Sequence, residues 1–128
     1  MKVLLDTHSF LWFIDDNPKL SDFARSTIEN GDNQVLMGIA SLWEIAIKYQ
    51  LGKLKLSNPF DTLFPAQLQL NDIQLLKIEV AHLSIVAQLP MHHRDPFDRL
   101  IIAQAIAEKL PIVGTDSVFD AYAIRRIW

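Results

Sequence analysis

"DPFDRLIIAQAIAEKLPIVGTD", residues 95–116, decides the fold. Asp95 followed by Pro96 has the residue types of a helix N-cap and a first helical position. Ile101, Ile102, Ala105 and Ile106 then recur at helical spacing, which predicts a helix with one buried stripe. Past Leu110, "PIVGTD" (111–116) is a short, continuous apolar run, the pattern of a parallel strand covered on both faces. A helix feeding such a strand is the repeating unit of a layered α/β domain.

Outward from this stretch the unit recurs. Residues 2–6 read as a strand with a helix over 9–14 behind it, and "QVLMG" (34–38) as a strand before a helix from Ile39 to a stop at Gly52. "IQLLKI" (73–78) is a third strand, and "VAHLSIVAQL" (80–89) the helix that Pro90 ends. Ser21 N-caps a helix through Ile28 that ends near Gly31. "NPFDTLFPAQLQLN" (58–71) predicts one helix, interrupted or begun at Pro65, and the tail from Ala123 to Trp128 is a candidate fifth strand. The expectation is a single three-layer α/β domain over residues 1–128, with a central parallel sheet of four to five short strands flanked by helices.

Composition excludes several classes. Half of the residues are apolar and 21% are charged, which is not the balance of a disordered chain. The absence of cysteine removes disulfides and thiolate zinc and fits a reducing cytoplasm. "MKVLLDTH" has too short an apolar run for a signal peptide or a membrane span. The net charge of −3 carries no overall nucleic-acid signature. Basic residues nevertheless gather at Lys48, Lys53 and Lys55, at His92, His93, Arg94 and Arg99, and at Arg125 and Arg126. Phe10, Trp12 and Trp43 read as core or dimer interface before base-stacking platforms.

The acids carry the chemistry. Functional crevices in parallel sheets lie outside the carboxyl ends of the strands, where Asp6 and Asp116 fall; helix capping explains each of them equally well. Glu44 sits on its helix in register with Ala40, Ile47 and Leu51, with Lys48 one turn on as an ordinary surface partner. Asp98 heads the buried stripe of the helix that Asp95 caps. Four carboxylates converging on one edge repel by about 4 kcal/mol per pair at close range, so such a cluster takes up protons or a cation. Oxygen-only ligands suit Mg²⁺ or Mn²⁺, which activate water for phosphodiester hydrolysis.

"LLDTHSFLW", "ASLWEIAIKYQLGKL", "HRDPFDRLIIAQA" and "PIVGTDSVFDAYAI", in this order from residue 4 to 124, resemble a PIN-domain ribonuclease of the VapC type. The resemblance implies that Asp6, Glu44, Asp98 and Asp116 are the catalytic, metal-holding acids, and that Mg²⁺ or Mn²⁺ serves RNA cleavage. It also implies a homodimer and a toxin of a type II toxin–antitoxin pair, neutralised by a cognate VapB-like, DNA-binding antitoxin. Lys48, Lys53, His92, His93, Arg94 and Arg99 are then candidates for contacts with RNA phosphates, and Asp95 and Thr115 for auxiliary roles; Asp120 is one more acid nearby. Two positions depart from close relatives: Gly114 where the pattern has Thr, and Gly38 where it has Ser. A housekeeping RNA-processing nuclease and a non-catalytic binding module remain alternative readings. A phosphotransfer receiver is disfavoured, because Asp6 has no adjacent acid and no Lys follows "IVGTD".

Overall fold

The computed structural model describes residues 1–128. Strands β1 (Lys2–Leu5), β2 (Gln34–Gly38), β3 (Ile73–Leu76), β4 (Ile112–Val113) and β5 (Arg126–Ile127) form one sheet in the order β3-β2-β1-β4-β5, every pairing parallel. Helices α1 (Thr7–Ile14), α2 (Asp22–Glu29), α3 (Ile39–Gln50), α4 (Phe60–Leu70), α5 (Val80–Gln88) and α6 (Pro96–Glu108) connect and flank it, and a 3-10 turn spans Ser117–Ala121. The fold is the expected α/β arrangement with five strands.

β1 is the central strand, and its Val3, Leu4 and Leu5 are wholly buried. Successive side chains of a strand point to opposite faces. Val3 and Leu5 accordingly join Phe10, Met37, Ile45 and Phe64 in one core layer, while Leu4 joins Ile101, Ile102, Ile112 and Phe119 in the other. Burying apolar side chains on both faces contributes about 1.5–3 kcal/mol each.

Three local expectations shift. The fourth strand, expected over 111–116, is only Ile112–Val113, because it pairs over just two residues on each side, with Leu4 and Leu5 of β1 and with Arg126 and Ile127 of β5. The helix over 58–71 runs unbroken through Pro65: Leu63 and Phe64 are buried and Leu68 packs on the same core, so tertiary contacts offset the missing backbone donor. On α3 the buried residues are Ala40, Ser41, Leu42, Glu44 and Ile45, whereas Leu51, just past its end, is exposed.

What positions the site is the centre of the sheet. β1 pairs with β2 on one side and β4 on the other, so its C-terminal end is the switch point where connections leave in opposite directions and a crevice opens. The Asp6 amide donates to Val113 O (3.1 Å), which brings the exits of β1 and β4 side by side.

Candidate active site

Asp6 and Asp116 each divide their two oxygens between fold and site. Asp6 Oδ1 accepts from the Ser9 amide (2.7 Å) as the N-cap of α1. Its Oδ2 lies where a Cβ on Gly114 would stand only 2.8 Å away. Burial pushes the Asp6 carboxyl up from its ordinary value, against the lowering effect of the Ser9 hydrogen bond. Asp116 Oδ1 accepts from the Val118 amide (2.9 Å), capping the 3-10 turn, and its Oδ2 accepts from His93. Capping and membership of the site are therefore not alternatives at these two residues.

Asp98 enters from α6. Asp95 Oδ1 caps that helix by accepting from the amides of Phe97 (2.9 Å) and Asp98 (3.0 Å), which holds Asp98 at the third position with its side chain aimed at the sheet edge. Burial, then the neighbouring charge of Asp95, push the Asp98 carboxyl up to about 7, while His93 opposes the rise. His93 Nδ1 accepts from the Asp95 amide (3.2 Å), so the proton of its neutral ring sits on Nε2. That Nε2–H donates to Asp116 Oδ2 (2.9 Å) and lies 3.1 Å from Asp98 Oδ2. Loop anchors fix this ring: the His93 amide donates to the Tyr122 hydroxyl (2.8 Å), and the imidazole stacks on Phe119 (5.9 Å between centroids).

Glu44 is buried but fully engaged. Thr7 Oγ1 donates to its Oε1 and Lys48 Nζ to its Oε2, both at 2.8 Å. The Lys48 ammonium is raised above its usual range chiefly by that hydrogen bond. Glu44 contributes charge next to Asp98, since it is among the groups that raise the Asp98 carboxyl.

The structure brings Asp6, Asp98 and Asp116, from three separate elements, onto one open cavity of about 380 Å³ that Thr115 and His8 also line. Ligand atoms of His93, Asp98 and Asp116 all lie within 4.8 Å of one another. With His93 Nε2 protonated, the available donors are carboxylate oxygens, the set a hard divalent cation takes. Burial, then the neighbouring acids, disfavour the ionised form of Asp98, a cost that a bound cation offsets, so the residues present fit Mg²⁺ or Mn²⁺. Asp120 is held apart by the Arg126 guanidinium (2.9 Å to each oxygen), which lowers its carboxyl below the usual range.

The basic candidates separate into three groups. Lys53, His92 and Arg94 are exposed, His92 edge-on to Tyr122, and Lys48 is half-exposed. His93 sits among the acids. Arg99 corrects the expectation of an RNA contact: it is 8% exposed, and its guanidinium donates to the carbonyls of Val86, Leu89, Pro90 and His93 (3.0–3.3 Å). It closes the end of α5 and the loop to α6, with both terminal nitrogens of the guanidinium spent on carbonyls.

Reading the residue types assigned no site role to Thr7 or His8, which lie between the expected strand over 2–6 and the expected helix over 9–14, whereas α1 begins at Thr7. Their signal was position, directly behind a strand-end acid, where the helix start faces the same crevice. Trp12, expected as core or interface, lines the cavity too, while Phe10 is core. At the two departures, Asp6 Oδ2 takes the room a side chain on residue 114 would need, and Gln104 Oε1 takes that at 38, 2.6 Å from a Cβ there.

Comparison with known proteins agrees with this geometry. Residues 3–125 match the PIN domain family. Ribonuclease VapC16 of Mycobacterium tuberculosis is 34% identical over 58 residues, which are 45% of this chain and 41% of that protein, so the match spans less than half of the relative. Among solved structures, VapBC2 from Rickettsia felis bound to a DNA fragment from its promoter superposes with a TM-score of 0.71 at 15% identity, over 100% of both chains. FitAcB from Neisseria gonorrhoeae gives 0.61 at 17% identity, over 98% of this chain and 96% of that one. These last two are likenesses of fold. With nearly its whole length matched and its acids gathered at the switch point of a five-stranded parallel sheet, the chain belongs to the PIN domain family.

Proposed function

We propose that the protein is a Mg²⁺- or Mn²⁺-dependent endoribonuclease that acts as a VapC-type toxin. The observation that carries this reading is the convergence of Asp6, Asp98 and Asp116 on one solvent-open cavity. Family membership and the partial match to a relative named as a ribonuclease support it.

Asp6, Asp98 and Asp116 would hold the ion, which when bound supplies Lewis acidity and an activated water to phosphodiester hydrolysis. His93 orients the Asp98 and Asp116 carboxylates through its Nε2–H, and Asp95 places Asp98 by capping α6. Glu44 adds negative charge behind this group, with Thr7 and Lys48 fixing its orientation and neutralising part of it. Thr115, on the cavity rim, is available to substrate or to water. Lys53, His92 and Arg94 position the RNA backbone without reading sequence, and Lys48 adds a charge to that track. A DNA-binding, VapB-like antitoxin that covers this cavity is the proposed regulator, supported by the likeness in fold to a protein described as VapBC2 bound to a DNA fragment from its promoter, and a homodimer is the proposed assembly. No helix is long and apolar enough to cross a membrane.

Induced expression in a bacterial host tests the reading. The wild type is expected to arrest growth and degrade RNA, and Asp6→Asn, folded by circular dichroism, to do neither. Growth arrest and RNA loss persisting in Asp6→Asn would overturn it.

A further inference from the structure

A second cavity, also of about 380 Å³, adjoins the one that holds the acids, and His8 and Trp12 line both. The two rings meet at 5.7 Å between centroids, tilted by 43°. They form a partition with the carboxylates on one side and a mixed apolar and basic chamber on the other. Leu11 and Leu54 supply the apolar surface of that chamber, with the buried Ile45 behind it, and Lys48 and Lys53 its positive charge. Asp15 and Asn17 complete its polar lining.

We infer that this chamber is a nucleotide subsite: it takes the nucleobase next to the scissile phosphodiester and sets which base is preferred there. The inference rests on the proposed ribonuclease reading and adds a binding site to it. Four features support it. The volume lies in the range of small-ligand pockets, which are mostly apolar with a few placed polar groups. Trp12, held between His8 and Trp128, lines the chamber with its indole, and contact of a base with an aromatic ring is worth about 1–3 kcal/mol whatever the base. Lys53 is exposed and makes no ion pair, so its charge is free for the phosphate attached to that base. Both kinds of edge recognition are present: the Asp15 carboxylate only accepts, whereas Asn17 Oδ1 accepts from the Lys19 amide and leaves its NH₂ to donate. A carboxylate beside an aromatic wall favours bases that present an exocyclic amino group. The basic rim and the shared wall with the acid cavity favour a nucleotide over an apolar peptide side chain as the occupant.

The test reads the chamber directly. The methyl NMR signals of Leu11, Ile45 and Leu54 are followed while the metal-free protein is titrated with each of the four nucleoside 5′-monophosphates and with ribose 5-phosphate. Saturable shifts in these methyls are expected, with affinities differing by at least about threefold among bases and weakened at least about fivefold by Lys53→Glu, an exposed position whose change leaves the fold intact. Silence of these methyls, or equal response to ribose 5-phosphate, overturns the proposal. So does silence toward nucleotides combined with shifts on adding an antitoxin peptide, which would assign the chamber to a protein partner. A second readout sequences the cut ends of a random RNA pool: Asp15→Ala is expected to change the base preference at one position beside the cut while Mn²⁺ affinity stays the same, and an unchanged preference counts against the subsite. If the wild type cuts no RNA at all, the ribonuclease reading fails, while the methyl titration still decides the subsite.

Discussion

Gly114 makes room for Asp6. A Cβ on residue 114 would lie 2.8 Å from Asp6 Oδ2 and 3.1 Å from both Asp6 Cγ and Phe119 Cε2, so the absence of a side chain there lets the carboxylate face the cavity. Gly114→Ala is therefore expected to displace that carboxylate, weakening Mn²⁺ binding about tenfold, and to cost roughly 1–3 kcal/mol through overpacking. Titration calorimetry and chemical denaturation read the two effects. Gly114→Thr, with the residue that the family resemblance leads one to expect there, is expected to be worse than Gly114→Ala; unchanged Mn²⁺ affinity in both variants would remove the steric argument.

Asp98 sets a pH dependence with a definite sign. Its carboxyl is raised from 3.8 to about 7, first by burial and then by Asp95, so between those values the folded protein holds a proton that the unfolded chain has released. Metal-free stability is then greatest at the acid end of this window and falls as pH rises through it, by up to about 1.4 kcal/mol per unit. Metal binding needs the ionised form, so Mn²⁺ affinity is expected to rise about tenfold per unit below pH 7 and to level off above. Asp98→Asn is expected to weaken both trends, leaving the contribution of the same sign from Asp6, whose carboxyl burial also raises. Melting curves across pH, with and without Mn²⁺, check this, and a metal-free protein that gains stability from pH 4 to 7 would contradict it.

His93 is expected to matter most when no metal is bound. Its Nε2–H is what separates Asp98 from Asp116, so His93→Ala leaves two carboxylates facing each other and should destabilise the metal-free protein by about 1–3 kcal/mol. Saturating Mn²⁺ should recover most of that loss. Equal destabilisation with and without Mn²⁺ would mean that the ring serves packing on Phe119 and not the acids.

Much of this arrangement was legible because it is local. Ser21 and Asp95 cap their helices as expected, accepting from the amides three residues on, since an N-cap depends on a handful of neighbouring atoms. The placement of Asp6 and Asp116 at one edge followed from the strand pattern and the rule for parallel sheets. What stayed hidden depends on distant chain. The two-residue length of β4 is set by its pairing with β1 and β5, and the continuity of α4 through Pro65 by the burial of Leu63 and Phe64. Arg99 sits one residue from Asp98 and so read as part of an RNA surface; the four carbonyls that bury it belong to the α5 end and the following loop, 6 to 13 residues earlier.

Arg99 is accordingly expected to act on stability. Arg99→Met removes the guanidinium donors from four carbonyls, of which Val86 O keeps the Leu89 amide and Pro90 O the Tyr122 hydroxyl, and should cost about 1–3 kcal/mol, with Arg99→Lys intermediate because an ammonium cannot span them. Both variants should lose RNA cleavage only in proportion to the unfolded fraction, measured by denaturation alongside activity. A stable Arg99→Met protein that fails to bind RNA would return this residue to the interface.

The central claim is that the carboxylates of Asp6, Asp98 and Asp116 hold a divalent ion that drives RNA cleavage. The most direct measurement is the rate of cleavage of one defined RNA across Mn²⁺ concentrations, by the wild type and by Asp116→Asn, whose half-exposed position allows the variant to fold. The wild type should be silent in EDTA and saturate with Mn²⁺, and Asp116→Asn should fall at least about a hundredfold at every concentration. Cleavage by the wild type that persists in EDTA, or equal rates for the two proteins, would contradict the account.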